Sequence, residues 1–516
     1  MLAGAVASFC LPPFGFVILI VALSWPALDL VRANQISQAM RIGWAAGFGW
    51  FLASTWWIAA SMVTGDTGHW PLFPFAVLFV PFLLSLFWSL AAAISWRVGR
   101  QPATRLLWFI VMLGLAEWAR GHVATGFPWN APGYLFSAHL SLLQAASVLG
   151  LYALNLLAIG AAMVPAFWLL GWRRPAVLLA LLLPLMGAAG SWRLANDATT
   201  TTAANTDVAA SIAGSDNGGP ALPKHVRLVQ PAIPQNEKWD RDRRPAHLER
   251  LRSFSMETRP VPQLVIWPET AFAGLLAAER DLFRRTVAVA LPFDGLLITG
   301  VPRRHSRTKL LNSAVLVAPD GTIRADYDKR KLVPFGEFFP FRSLIPFATA
   351  LVGPMDYIHG TSEPFFQLSH YGVIRPLICY EVIFPGLGAG LGAGFGGMFG
   401  NGQGPRPDIL VNLTNDAWFG GTPGPYQHLA QARMRAVEEG IPMVRVANTG
   451  ISAAFDGYGR ELARIEMGVA GFADVVIPDP IAITAYARWR EMILMIGLLL
   501  LAVLAIGLDQ KRRFGQ

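Results

Sequence analysis

Seven stretches of this sequence, near 14–31, 42–62, 73–96, 106–123, 142–171, 176–192 and 492–508, are almost wholly apolar and close to the length a helix needs to cross a bilayer. About 20 apolar residues span the hydrocarbon, and a helix satisfies its own backbone polar groups where no water can. Much of the chain is therefore expected in lipid, as a multi-helix transmembrane domain. A further apolar stretch, residues 1–10, stops at Pro12-Pro13 and is too short to cross alone, so it reads as a partial helix or the remnant of a longer first span. It has no basic segment before it and further apolar runs after it, which argues against a cleaved signal peptide. Composition agrees: 15% of residues are charged, against roughly 25% in an average soluble domain.

The cations predict orientation. Arg32 and Arg41 share one connecting loop, Arg97, Arg100 and Arg105 the next of the same side, Arg173 and Arg174 the next, and Lys511, Arg512 and Arg513 close the chain. The alternate loops, 63–72 and 121–141, carry no Lys or Arg. Short cytoplasmic loops collect these cations, so the large segment before the last span is expected to face outward. In a bacterium that makes a multi-pass inner-membrane protein with a periplasmic domain. The net charge of +9 is spent at the ends of apolar runs rather than gathered in a basic stripe, and no nucleic-acid partner is expected.

Composition shifts divide the chain into a polytopic helical domain at 1–194, a tether at 195–224, an extracytoplasmic domain at 225–487 and a C-terminal span with its cytoplasmic tail at 488–516. The tether is rich in Ala, Thr, Ser, Asn, Asp and Gly without hydrophobic periodicity, which predicts flexibility. In the third segment, short β-rich runs at 226–230, 264–267, 296–299 and 409–412 alternate with helix-like stretches such as 277–290 and 426–439, the pattern of an α/β layered domain. Repeated glycines at 386–404 form a low-complexity insertion with no regular element.

Chemistry can be sought in three places. Cys379 closes the run Arg375-Pro376-Leu377-Ile378 and precedes Tyr380-Glu381. Alone it reads as a small core hydrophobe, but an unpaired cysteine in an outward, oxidising compartment is a liability unless its thiolate is used. With Cys10 inside an apolar run as its sole counterpart, a disulfide framework is not expected. Glu269 ends Leu264-Val265-Ile266-Trp267-Pro268, at the mouth of a strand, where a carboxylate either caps the next helix or, desolvated, acts as general base. Lys329 opens Lys329-Arg330-Lys331-Leu332-Val333-Pro334-Phe335-Gly336-Glu337; such a cluster is solvated surface, or its ammonium steadies a thiolate and an oxyanion, with Glu337 orienting it. In the membrane half, Glu117 within an apolar run has Arg120 three residues on, giving an ion pair on one helix face or a functional carboxylate.

Together the order Glu, Lys, Cys, in W-P-E, K-x-x-L-V-P-F-G-E and C-Y-E, resembles the nitrilase superfamily. Over nearly its whole length the chain is similar to the apolipoprotein N-acyltransferase family, through Glu117-Trp118-Ala119-Arg120-Gly121, Thr125-Gly126-Phe127-Pro128-Trp129, Gln230-Pro231-Ala232-Ile233-Pro234-Gln235 and Asn415-Asp416-Ala417-Trp418-Phe419-Gly420. The resemblance implies a nitrilase-like four-layer αββα sandwich with Glu269, Lys329 and Cys379 as catalytic residues, supported by Glu337, Tyr380 and Glu381. It implies substrate contacts at Asn415, Trp418 and Phe419, although these aromatics and those of 127–129 also suit membrane-interface anchors. It further implies that Cys379 takes an acyl chain from a phospholipid as a thioester and passes it to the α-amine of a diacylglyceryl-cysteine apolipoprotein, in a monomer without cofactor. No metal is expected, since the nine histidines show no ligand spacing with cysteine or acidic residues. The competing expectations are a membrane-anchored amidase using the same three groups on a soluble amide, and a transporter with an accessory domain; no internal repeat supports the latter.

Overall fold

The structure is a computed structural model that describes the backbone of residues 1–64, 70–211, 223–257, 262–292, 294–340, 342, 355–388 and 404–511, and the side chains of the same residues except 197–211 and 511. In the apolar half, helices run at Leu2–Ser8 (α1), Ser24–Arg32 (α2), Ile36–Thr55 (α3), Phe73–Val98 (α4), Pro102–Arg120 (α5), Leu140–Leu143 (α6), Ala146–Ala162 (α7), Val164–Leu169 (α8) and Arg173–Ser211 (α9). Three helical segments among the described residues are long and apolar enough to cross a membrane: 70–98, 173–196 and, at the far end of the chain, 492–510. Leu178, Leu181, Leu185 and Trp192 on α9 lie exposed, as do Leu499, Leu500 and Val503 near the C-terminus. Apolar side chains turned outward in such numbers fit lipid rather than water.

The expected runs are not all single helices. Residues 14–31 begin as a 3₁₀ segment at Val17–Leu23 before α2, and 42–62 passes from α3 into a 3₁₀ segment at Trp56–Met62. The run 142–171 is divided among α6, α7 and α8, and Gly150 inside it has φ 67°. A Cβ there would lie 2.2 Å from the ring of Tyr486, so a residue of the other half occupies the notch that glycine leaves. Between α3 and α4 the backbones approach closely at Gly43, where a Cβ would meet the Trp88 carbonyl at 2.5 Å; small residues permit such packing in lipid, where helices gain nothing from hydrophobic burial alone. Of the tether expected at 195–224, residues 195–211 are instead a continuation of helix α9, in keeping with their helix-favouring alanines. Residues 212–222 lie outside the described residues, as does all of the Gly-rich 386–404 stretch except 386–388 and 404.

The second half forms two sheets. One has the strand order β13-β1-β2-β3-β4-β5, with β6 beside β4; the other has the order β12-β11-β10-β9-β8-β7. Their strands are β1 (Lys224–Gln230), β2 (Leu264–Ile266), β3 (Leu296–Arg304), β4 (Lys309–Val317), β5 (Ile323–Asp328), β6 (Asp356–Tyr357), β7 (Phe366–Leu368), β8 (Gly372–Ile378), β9 (Ile409–Thr414), β10 (Met443–Ala447), β11 (Ser452–Phe455), β12 (Glu461–Ile465) and β13 (Gly471–Ile477). Side-chain alternation on a strand sets the layers. Val226, Leu228, Ile266 and Ile298 of the first sheet meet Ile374, Ile378, Val411 and Val444 of the second in one buried core. The opposite faces are also apolar. Val229, Val265 and Leu297 pack beneath helices α10 (Arg244–Met256) and α11 (Arg280–Ala288), while Leu377, Leu410 and Met443 pack beneath α12 (Gly424–Glu439). The result is the expected αββα sandwich. It continues through α13 (Ala485–Trp489) into the apolar α14 (Met492–Lys511).

The two halves are joined by buried polar contacts as well as apolar ones. The Leu151 N–H on α7 donates to Glu438 Oε1 on α12 at 2.8 Å, and Arg435 Nη2 donates to the same oxygen at 3.0 Å. Burial pushes the Glu438 carboxyl up to about 7, against the pull of Arg435.

Candidate active site

Cys379 follows the last residue of β8 and has φ 50°, in the left-handed region that a non-glycine residue occupies at a cost of about 1–3 kcal/mol. Strain of this kind persists where the surroundings over-determine it, and Glu381 supplies much of that constraint. Its Oε2 accepts from the Ile378 N–H at 2.7 Å, ahead of the cysteine. Its Oε1 accepts from the Tyr327 hydroxyl at 2.7 Å and from the N–H groups of Arg330 at 2.7 Å and Lys331 at 3.2 Å. One buried carboxylate thus ties the end of β8 in one sheet to the chain leaving β5 in the other. Lys329, directly after β5, is carried to the cysteine by that tie.

Glu269 lies three residues beyond β2, after Pro268 has ended the strand, and is buried. Its Oε1 accepts from Asn312 Nδ2 at 2.8 Å and lies 3.9 Å from Lys329 Nζ. Lys329 Nζ donates to Glu337 Oε1 at 2.9 Å, and Asn312 Nδ2 donates to the same oxygen at 2.9 Å. Glu337 Oε2 accepts from the Val333 N–H at 2.8 Å, which fixes the carboxylate from behind. Burial alone would lower the Lys329 pKa, but Glu337 and Glu269 more than offset it and hold the group well above the ordinary lysine range. The ammonium therefore stays charged at any working pH. Burial, with the Glu269 charge adding to it and Lys329 opposing, pushes the Cys379 thiol up to about 12. At rest the sulfur is a thiol, so a nucleophilic role would call for a nearby base to take its proton.

The structure thus joins Glu269, Lys329 and Glu337 through Asn312 in one cluster within electrostatic reach of Cys379, while Glu381 braces the chain next to Cys379 and next to Lys329. Tyr380 turns the other way, donating from its hydroxyl to the Gly126 carbonyl of the apolar half at 2.8 Å. Asn415 is buried and bridges two loops: its Nδ2 donates to Gln235 Oε1 at 2.9 Å and its Oδ1 accepts from Asn448 Nδ2 at 3.0 Å. Trp418 is exposed at 39%, whereas Phe419 sits edge-on to Trp57 at 4.7 Å between ring centroids. Trp129, for which a membrane-interface position was one expectation, is 2% exposed and packs inside the molecule against Trp57 at 4.9 Å. Glu117 forms its ion pair with Arg120, as helix spacing allows, and accepts from Trp88 Nε1 at 2.8 Å. Among the described residues, no group of three or more His, Cys, Asp or Glu is placed to hold a metal.

Residues 3–164 match the family model described as the apolipoprotein N-acyltransferase N-terminal domain, and residues 225–477 match that of carbon-nitrogen hydrolases. The apolipoprotein N-acyltransferase of Bradyrhizobium diazoefficiens is 37% identical over 84% of this chain and 79% of its own length. That of Rhodopseudomonas palustris is 35% identical over 98% of this chain and 94% of its own. This chain belongs to the apolipoprotein N-acyltransferase family. An amidase from Nesterenkonia sp. AN1, bearing the acetamide moiety of fluoroacetamide on its active-site cysteine, is 17% identical over 55% of the chain and 99% of its own, with a TM-score of 0.38.

This apolipoprotein N-acyltransferase family member contains two site residues that the sequence did not single out. Asn312, in the middle of β4, bridges both carboxylates; an isolated asparagine in a strand gives no signal beyond its mismatch with an apolar run. Lys238, in the turn after β1, is 3% exposed and donates from Nζ to the Glu269 carbonyl at 3.1 Å. Burial pushes its pKa down to about 8, with Glu269 and Cys379 opposing. A lysine beside Glu237 and Asp240 in a polar turn reads as surface from sequence. Replacing Lys238 by methionine leaves the Glu269 carbonyl without this donor. The unpaired carbonyl is expected to shift toward another donor and carry the Glu269 carboxylate with it, and misplacement of a reacting group costs up to about 100-fold in rate. The initial rate of acyl transfer by the Lys238→Met protein checks this, and an unchanged rate would detach Lys238 from the site.

Proposed function

We propose that this chain N-acylates the N-terminal S-diacylglyceryl-cysteine of apolipoproteins, through a thioester on Cys379, with a membrane phospholipid as donor. One observation carries the proposal: a cysteine on a strained turn, within electrostatic reach of the Glu269 carboxylate and the Lys329 ammonium, in a family member built onto apolar helices. In the first step the Cys379 sulfur attacks the donor's ester carbonyl while Glu269 takes the thiol proton. Lys329 faces the oxyanion that forms. Collapse breaks the carbon–oxygen bond, the leaving lysophospholipid oxygen receives the proton from Glu269, and the acyl group remains on sulfur.

In the second step the free α-amine of the acceptor attacks the thioester. Glu269 takes the amine proton, the carbon–sulfur bond breaks, and the proton returns to the thiolate. An amide replaces a thioester, so the transfer runs downhill. The apolar half gives the reason for a lipid donor, since acyl chains can stay in hydrocarbon while the ester reaches the sulfur; a soluble amide would need no such half. The alternation of cation-rich and cation-free loops supports a multi-pass inner-membrane placement with the sandwich in the periplasm.

The test supplies phospholipid labelled in its acyl chains and a peptide bearing S-diacylglyceryl-cysteine to the purified full chain. Label is expected on the peptide's α-nitrogen, with lysophospholipid released in equal amount. Release of free fatty acid without peptide labelling, or hydrolysis of simple amides as the sole activity, would sink the proposal.

A further inference from the structure

The cysteine turn is held not only by its own sandwich but also by a loop of the apolar half. Arg120, the last residue of α5, is buried with Glu117, whose Oε1 also accepts from Trp88. The guanidinium donates from Nη1 to the carbonyls of Phe127 and, at 3.0 Å, of Trp129, so residues 121–130 wrap around it. The Phe127 N–H donates back to the Arg120 carbonyl at 2.8 Å. Two contacts leave this loop for Cys379. The Gly126 carbonyl accepts from the hydroxyl of Tyr380, the next residue after the cysteine, at 2.8 Å. Trp129 Nε1 donates to Gln427 Oε1 at 3.0 Å, and the Trp129 ring lies 5.0 Å from that of His428, the next residue on α12. His428 Nε2 in turn lies 3.2 Å from the Cys379 carbonyl oxygen.

A buried ion pair inside an apolar helix is costly and is kept where it has work to do. Here the guanidinium donates to Glu117 on one side and to the loop on the other, and the loop in turn meets Tyr380, beside the strained cysteine, and Gln427, whose neighbour His428 lies against the Cys379 carbonyl. We propose that Arg120, fixed by Glu117, is a positioning residue for Cys379, acting through the Gly126–Tyr380 and Trp129–Gln427–His428 contacts. The proposal rests on Cys379 being the nucleophile. It means that the sulfur is aimed at Glu269 and Lys329 only when the apolar half is in place.

The test uses the full chain in phospholipid nanodiscs, with Tyr380→Phe, Arg120→Met and the double variant. A burst of nitrophenolate from p-nitrophenyl decanoate counts reactive thiols, and the transfer rate and KM for labelled phospholipid are then expressed per counted site. Losing one hydrogen bond to the loop is expected to slow acyl-enzyme formation by about tenfold per site in Tyr380→Phe, with KM within about twofold. Arg120→Met is expected to be at least as slow, and the double variant no slower than Arg120→Met, because both act in one chain of contacts. A merely structural role would lower the number of reactive sites and leave the rate at each unchanged. That outcome, or multiplicative losses in the double variant, overturns the proposal. Should Arg120→Met fail to assemble, Tyr380→Phe and Gln427→Leu decide by the same per-site rate. Cys379→Ala run in parallel separates the two ideas: retained transfer sinks the nucleophile assignment itself, whereas loss in Cys379→Ala with normal per-site rates in the other variants sinks the positioning role alone.

Discussion

Cys379→Ala is expected to abolish both acyl-enzyme formation and transfer, leaving a protein that still inserts and folds. The thiol contributes little to the core: Cys379 packs at the margin of the inter-sheet cluster, so the loss of one sulfur is a small packing change. The chemical loss is large, because the group that would carry the acyl chain is gone. Removing a covalent nucleophile typically lowers turnover by about 10⁶-fold. Intact-protein mass spectrometry after incubation with phospholipid is the direct measurement. The wild type should gain one acyl chain and the alanine variant none; an acyl adduct on the variant would place the nucleophile elsewhere.

Lys329→Met and Glu269→Gln should each cost about 10²–10⁴-fold in the acylation rate, for different reasons. Methionine fills the space of Lys329 but removes the charge, leaving Glu269 and Glu337 as two buried carboxylates without the ammonium that offsets them. The second effect should appear as a shifted pH dependence: with the cation gone, two like charges face each other unscreened, and the variant's remaining activity is expected to move to higher pH. Glutamine at 269 keeps the hydrogen bond to Asn312 through its carbonyl but cannot take a proton, so its rate should fall without such a displacement. A rate–pH series on both variants tests the pair. Identical profiles would mean that Lys329 is not the counter-charge to these carboxylates.

Much of the candidate site was legible because Glu269 and Cys379 stand where an apolar run stops, and Lys329 opens a charged cluster that passes into an apolar, turn-forming segment. Strand ends are where a sandwich can expose a polar group without breaking its core. Asn312 and Lys238 were not legible for the complementary reason. One lies within a strand and the other in a polar turn, and only the closure of the sheets makes them neighbours of Glu269. The layered fold followed from alternating short strands and helices, whereas the breaks in the apolar half did not follow from its sequence. Gly150 looks like any glycine in an apolar run until Tyr486, far along the chain, fills its notch. Likewise Trp129 has the sequence context of an interface aromatic, and its burial depends on Gln427 and His428 of the other half.

The four hydrogen bonds that converge on Glu381 have a mechanical meaning. Its two oxygens clasp the end of one sheet to the edge of the other, so the spacing of these two chain segments is set by a single carboxyl group. Aspartate at this position, shorter by one methylene, would have to draw the sheets together or release one of them, which makes the position intolerant even of a change that preserves charge.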